Sequence, residues 1–544
     1  MSTALTESHV RGRTDQPLIE QTLGAFFNDM VERFPEREAL VVVHQGRRYT
    51  YRQLQTESRR LASALLGLGL KPGDRIGIWS HNNAEWVLMQ LATAMAGLVL
   101  VNINPAYRTA EVEYALNKVD CKALVVMPRF KTSDYLGMLR ELAPEWAHAK
   151  PGEPLESQTL PHLKHAIWID VEGEGADEPG FRRFSDLMKT GDPHDPRLPQ
   201  VAKLLHNTDA INIQFTSGTT GFPKGATLTH RNILNNGFFI GEAMKLTHGG
   251  CIVYPNDAFD PLTVLQTVQA EKCTGLHGVP TMFIAELDHP DFAKYDLSTL
   301  RTGIMAGSPC PIEVMKRVQR DMNMAEVTIA YGMTETSPVS CQSQTDTPLD
   351  KRVSTVGLVQ PHLEVKIINP ETGETVPRGT TGELCTKGYS VMQGYWGDDA
   401  RTREAIDAEG FMHTGDLATM DEEGYVNIVG RSKDMVIRGG ENVYPREIEE
   451  FLYRHPKIQD VQVVGVPDQR FGEELCAWII AKPGQTLDED EVRAFCKGKI
   501  AHYKVPRYMK FVDAFPMTIT GKIQKFKIRE LMQQELGLTE AKTA

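Results

Sequence analysis

The chain has 544 residues, with 59 Lys and Arg against 71 Asp and Glu, for a formal net charge of −12. Its 41% hydrophobic and 24% charged fractions exclude a disordered or collagen-like chain and suit about two to four ordinary domains. The acidic balance argues against a nucleic-acid coat or a polybasic membrane binder. No apolar run approaches the ~18–20 residues of a membrane helix, and the polar start has no signal-peptide core, so a cytoplasmic chain is expected. The eight cysteines are scattered without a Cys-x-x-Cys pair. They read as reduced core thiols rather than a disulfide frame or zinc site. The 16 histidines form no metal-binding helical pair either.

Apolar residues from Ile19 to Phe34 recur at spacings of three and four and predict an amphipathic helix ending before Pro35. A short strand over Ala39–Val43 follows, then a strand over Arg75–Ser80, a helix over Ala84–Ala96 and a strand over Leu98–Val101. Strand, helix, strand at this spacing is a βαβ unit, so the expected body is a parallel sheet covered by helices. Lys122–Met127 and Ala210–Phe215 add strands, and residues 145–162 read as a polar surface excursion. A helix is expected over Asn232–Leu246 and a strand over Cys251–Pro255. Beyond about residue 430 the segments shorten. Strands near Met435–Ile437, Val461–Gly465 and Ala477–Ala481, with helices over Pro445–Tyr453 and Asp488–Lys499, suggest a small α+β module. The fold class is therefore α/β: a large N-terminal body of several subdomains, residues 1–432, and a small mobile C-terminal domain, residues 433–544.

The strand ending at Phe215 runs into Thr216, Ser217, Gly218, Thr219, Thr220, Gly221, Phe222, Pro223 and Lys224. Hydroxyls and glycine N–H groups here can wrap a polyphosphate, and Lys224 adds a point charge. It is not a Walker A loop, because Gly-Lys-Ser/Thr is missing. From composition alone a flexible surface turn remains open.

This loop closely resembles the phosphate loop of the adenylate-forming enzymes, which include acyl-CoA synthetases, luciferases and peptide-synthetase adenylation domains. Further motifs follow in family order: Tyr331-Gly-Met-Thr-Glu335, Gly382-Glu-Leu with Gly394-Tyr-Trp396, Thr414-Gly-Asp416, Gly430-Arg-Ser-Lys-Asp434, Gly439-Gly-Glu-Asn-Val-Tyr-Pro445 and Thr520-Gly-Lys522. The resemblance implies activation of a carboxylic acid by ATP to acyl-AMP, then transfer to CoA. Glu335 would hold Mg²⁺, a hard cation that favours carboxylate and phosphate oxygens. Thr334 would donate to the α-phosphate. Tyr331 with Gly332 would face one side of the adenine, and Gly307 with Ser308 the other. Asp416 would accept from both ribose hydroxyls, Arg431 would contact ribose or phosphate, and Lys522 would bridge the acid and the α-phosphate. Lys433 stands at the family's hinge, about which the small domain would turn to bring Gly439 and Gly440 to the adenylate for thioester formation.

One expected stretch is missing. The family runs from the helix over Asn232–Leu246 into a strand ending Pro-Leu-[Phe/Tyr]-His-x-x-Gly, then a helix lining the acyl pocket. Here Leu246 leads through Thr247–Gly250 straight to Cys251. A β-α unit on the order of 25 residues is absent. Two readings stand. One is an acid–thiol ligase of the fatty-acyl branch, medium chain by its texture. The other is an impaired nucleotide- or acyl-binding relative with a damaged pocket. A peptide-synthetase adenylation domain fits less well, because no carrier domain follows Lys522. A dinucleotide oxidoreductase lacks its Gly-x-Gly-x-x-Gly. The implied partners are a small carboxylic acid, ATP and CoA, with no nucleic acid and no integral membrane segment; a homodimer is compatible.

Overall fold

The computed structural model describes residues 6–150, 153–170, 177–216, 223–307, 310–431, 434–438, 441–468, 471–497, 499–518 and 522–538. Its largest sheet has eight strands. Phe181–Arg183, His165–Trp168, Ala123–Val126, Arg75–Trp79, Val99–Asn102 and Ala210–Thr216 lie side by side in parallel. Lys224–Thr229 and Gly394–Tyr395 then extend the sheet antiparallel. The central strands are continuous apolar runs because helices cover both faces. Ile76, Ile78 and Val125 meet Leu61, Leu65 and Met89 on one side, while Trp79 and Leu124 meet Tyr135 and Trp146 on the other. The helix Ala84–Ala96 keeps its expected bounds for local reasons. The Asn83 side chain accepts from the Trp86 N–H at 2.8 Å, and Gly97, at φ 69°, ends the helix.

A second sheet places Gly275–Gly278, Thr302–Ala306 and Glu326–Gly332 in parallel, followed by antiparallel Val339–Gln342 and Leu358–Val359. A third, fully antiparallel, runs His9–Arg11, Leu363–Ile368, Gly382–Gly388, Met412–Met420, Val426–Arg431. The C-terminal sheet combines Glu441–Val443, Val436–Arg438, Gly472–Ala481 and Ile458–Asp468, with Tyr508–Phe511 beside Gly472–Ala481. It has its own core of Val436, Ile448, Leu452, Val461 and Ala477. The expected class, an α/β body with a small α+β module, is the observed one. Gln459 Nε2 donates to Asp288 Oδ2 at 3.0 Å, tying that module to the body.

Several local expectations are corrected. The first helix begins at Leu23, not Ile19, because Thr22 caps it, and the Ile19 N–H donates instead to Asn235 Oδ1 at 2.7 Å. Residues 145–162 are more than a surface excursion: Trp146, Leu155 and Leu160 are buried in the main core. Three isolated apolar residues carry no periodicity, so the pattern hid them. Cys251 is exposed rather than a core thiol. Among the described residues, no helix is long and apolar enough to cross a membrane.

Candidate active site

The glycine-rich loop joins two antiparallel strands, with Thr216 opposite Lys224 at its mouth. Ser217, Gly218, Thr219, Thr220, Gly221 and Phe222 lie outside the described residues, as do Ser308, Lys433, Gly439 and Gly440. At the loop's base, Lys224 Nζ sits 4.9 Å from the centroid of the Tyr395 ring. The Tyr395 hydroxyl donates to Glu335 Oε1 at 2.9 Å. Glu335 is only 5% exposed. It follows Thr334 in a short 3₁₀ turn, Thr334–Thr336, whose Glu335 carbonyl accepts from the Met392 N–H at 2.8 Å. One tyrosine thus joins the loop's lysine to the buried acid. Tyr395 lay inside a recognised motif, yet the sequence offered no reason to single it out. Its reach depends on the pairing of Ala226 with Tyr395 across the sheet edge.

A second group forms at the end of Glu326–Gly332. The Tyr331 hydroxyl donates to Asp416 Oδ2 at 2.6 Å, and Arg431 Nε lies 3.3 Å from Asp416 Oδ1. Burial pushes the Asp416 carboxyl up from its usual range, while the Tyr331 hydrogen bond and the Arg431 charge oppose that shift. Burial, followed by the charge of Asp416, holds the Tyr331 hydroxyl well above the ordinary tyrosine range. Gly332 has a steric reason to be glycine: a Cβ would fall 1.7 Å from the Pro338 carbonyl oxygen. Asp416 is positioned from the neighbouring strand. The Gly415 N–H donates to Glu383 Oε1 at 2.9 Å, and Thr414 Oγ1 donates to the Leu384 carbonyl at 2.7 Å.

Lys522 arrives from the C-terminal segment. A Cβ on Gly307, which holds φ at 88°, would stand 3.6 Å from Lys522 Cε. The Lys522 side chain is exposed at the surface, with protein crowded beside it. That crowding, then the Arg431 charge, lowers its pKa, and Glu335 pulls in the opposite direction. The structure therefore brings Lys522, Arg431, Glu335 and Gly307 into one electrostatic neighbourhood from three parts of the chain. Such an array can orient a phosphate-bearing nucleotide and offer cations to a developing negative charge.

The shortened stretch is locally well formed. The helix His230–Ala243 starts two residues before Asn232 because Thr229 caps it, and ends before the expected Leu246. The Leu246 N–H donates to the Gly241 carbonyl at 2.9 Å and the Lys245 N–H to that of Glu242 at 2.8 Å, with Lys245 at φ 52°. This is a Schellman closure with lysine in the left-handed position. The Arg301 guanidinium then donates to the Met244 and Lys245 carbonyls at 3.3 and 3.2 Å. Downstream the cover thins. Gly275–Gly278 is an open sheet edge, and Ile252 is 55% exposed.

The AMP-binding enzyme family matches residues 27–245 and 236–396, two stretches that overlap over 236–245, across the end of His230–Ala243. The AMP-binding enzyme C-terminal domain matches residues 447–522. The putative acyl-CoA synthetase YngI of Bacillus subtilis (strain 168) is 48% identical, covering 96% of this chain and 99% of its own length. Its alignment spans 556 positions, more than the 544 residues of this chain, so the relative has residues with no counterpart here. The mitochondrial medium-chain acyl-CoA ligase ACSF2 of Rattus norvegicus is 44% identical, covering 98% of this chain and 91% of its own. Among solved structures, MatB from Rhodopseudomonas palustris with bound ATP superposes with a TM-score of 0.80 at 27% identity, covering 95% of this chain and 100% of that one. The anthranilate CoA ligase AuaEII in complex with anthranoyl-AMP gives a TM-score of 0.82 at 26% identity, covering 96% and 99%.

Proposed function

We propose, from the premise that this chain belongs to the AMP-binding enzyme family, that it is an ATP-dependent acid–thiol ligase acting on a medium-chain fatty acid. The observation that carries the reading is the meeting of Lys522 with Arg431, Glu335 and Gly307 beside the Tyr331–Asp416 pair. In the first half-reaction an acid oxygen attacks the α-phosphorus of ATP, and pyrophosphate leaves. In the second the CoA thiol attacks the acyl carbonyl, and AMP leaves. Relatives named as ligases weigh against the impaired binding-protein alternative.

Asp416 accepts from the ribose hydroxyls, exchanging its Tyr331 or Arg431 partner for substrate. Thr334 and the loop Thr216–Lys224 donate to phosphate oxygens. Lys522 holds the acid oxygen in line with the α-phosphorus and stabilises the charge that grows there. Glu335 fits Mg²⁺: it is a buried hard-oxygen donor, held by Tyr395, with no ion pair among the described residues. Bound there, Mg²⁺ neutralises phosphate charge. The division into residues 1–432 and 433–544, with Lys433 as hinge, gives Lys522 a way to withdraw and Gly439–Gly440 a way to approach for the CoA step. A reducing cytoplasm suits eight cysteines that form no disulfide. A homodimer belongs to the same reading, as a proposal that sedimentation would check.

The test is ATP–pyrophosphate exchange driven by straight-chain acids from two to sixteen carbons. Exchange should peak at intermediate length, and CoA should then release AMP. A folded protein that exchanges with none of them would overturn the reading.

A further inference from the structure

A second cluster adjoins the nucleotide site through Glu383, and its Cys385 and His413 side chains have no role in the chemistry above. In the antiparallel sheet Cys385 stands opposite His413, and a register shift separates Cys385 from Glu383. All three side chains still converge, with a ligand atom of each within 4.8 Å of the others. His413 Nδ1 lies 3.6 Å from Cys385 Sγ and 3.1 Å from Glu383 Oε2. Four-coordinate zinc, with bonds of about 2.3 Å to sulfur and about 2.0–2.2 Å to nitrogen or oxygen, puts its ligand atoms roughly 3.3–3.6 Å apart. Both spacings from His413 Nδ1 are close to a tetrahedron's edges, and the Cys385–Glu383 pair lies within 4.8 Å.

The surroundings favour a cation as well. His413 Nε2 faces Asp407 Oδ2 at 3.6 Å, the carboxylate–imidazole arrangement that turns the other ring nitrogen toward a metal. Glu409 and Asp407 lie 3.1 and 3.9 Å from Lys366 Nζ. Lys366 and Lys387 both sit over the Phe411 ring. Three carboxylates, those of Glu383, Asp407 and Glu409, thus outnumber these two lysines. Cys385 is buried, while Glu383 and His413 are partly exposed, leaving one side open to water.

We propose that Glu383, Cys385 and His413 bind Zn²⁺ or a cation of similar softness, with water as the fourth ligand. On binding, the Cys385 thiol proton leaves to solvent as the Sγ–metal bond forms. The imidazole proton transfers from Nδ1 to Nε2, facing Asp407. Carboxylate and thiolate together neutralise the ion. The filled site shares Glu383 with the turn carrying Asp416, since Glu383 Oε1 holds the Gly415 N–H.

The full-length protein, stripped of metal, should be titrated with Co²⁺ alone. One thiolate-to-cobalt charge-transfer band is expected, saturating at a single ion per chain and bleached by Zn²⁺. Cys251→Ser should keep the band, Cys385→Ser should abolish it, and Asp407→Asn should weaken Co²⁺ binding roughly tenfold. Because Cys385 is buried, His413→Asn, at a partly exposed position, provides a second deletion of a ligand. Absence of the band from the wild-type protein overturns the proposal without any variant. So does a band that survives both Cys385→Ser and His413→Asn.

Discussion

The two ends of the helix His230–Ala243 lead to very different surroundings. On its N-terminal side, Lys224–Thr229 is paired on both edges, with Ala210–Thr216 and with Gly394–Tyr395, and Tyr395 links Lys224 to Glu335. On its C-terminal side, Leu246, Ile252 and Phe259 are exposed, and Gly275–Gly278 is the edge strand of the parallel half of its sheet. Parallel strands are ordinarily covered on both faces. The contrast sets the proposed nucleotide site apart from the exposed stretch that follows Leu246, where the shortening falls. The nucleotide half of the reaction and the acid half should therefore respond differently to substitution.

The largest effect is expected at Lys522. Lys522→Ala should slow acyl-AMP formation by roughly 10²–10³-fold, the usual cost of deleting one donor aimed at developing charge. Thioester formation from supplied acyl-AMP should be spared. Equal loss in both half-reactions would remove Lys522 from the adenylation step. The pH profile adds a second check. Crowding lowers the Lys522 pKa, so adenylation should decline on the alkaline side as the ammonium deprotonates, earlier than an ordinary lysine would. Lys522→Arg should remove that limb.

Next is Asp416→Asn. It keeps the shape but weakens acceptance from ribose hydroxyls, and should raise the KM for ATP by about tenfold or more, in line with ~1.5–3 kcal/mol for a hydrogen bond to a charged group. The KM for the acid should stay nearly constant. A matching rise in both would show that Asp416 supports the whole cleft rather than the nucleotide.

How far these sites were legible differs with the kind of signal. The helix Ala84–Ala96 could be read to the residue because periodicity, an Asn cap and a terminating glycine agree. Tyr331, Asp416 and Arg431 could be named from motif strings, but their hydrogen bonds could not, since these depend on how Glu326–Gly332 and Met412–Met420 lie in separate sheets. Glu383, Cys385 and His413 were invisible for the same reason. Strand register, not spacing along the chain, puts Cys385 opposite His413. Trp146 was missed because a single buried indole in a polar stretch has no period.

The open-edged sheet carries a further liability in Glu286, on the helix Pro280–Leu287. It is buried, its Oε2 has no hydrogen-bond partner, and burial pushes its pKa to about 8. An unfolded chain ionises the same group near about 4.3. Between those values the folded state holds the extra proton, so stability is fully present below the lower pKa and falls as pH rises toward the upper. Glu286→Gln should flatten this dependence, with a benefit absent near pH 4 and greatest near pH 8. Urea midpoints across that range would measure it, and parallel curves for the two proteins would place the carboxyl in contact with water.

The smallest effect tests the contrast most directly. Ile78, buried in the eight-stranded sheet, and Ile252, beside the shortened stretch, are the same residue type, both in strands. Ile78→Ala should cost about 2–5 kcal/mol, because it removes transfer energy and leaves a cavity. Ile252→Thr keeps the β-branch and changes atoms that already face water, so its effect should stay within about 0.5 kcal/mol. Urea denaturation at low and at high protein concentration would compare them. Should Ile252→Thr prove as damaging as Ile78→Ala, the exposed stretch is covered in solution. If the damage grows with protein concentration, the cover is a second copy of the chain, and the missing β-α unit is replaced from outside.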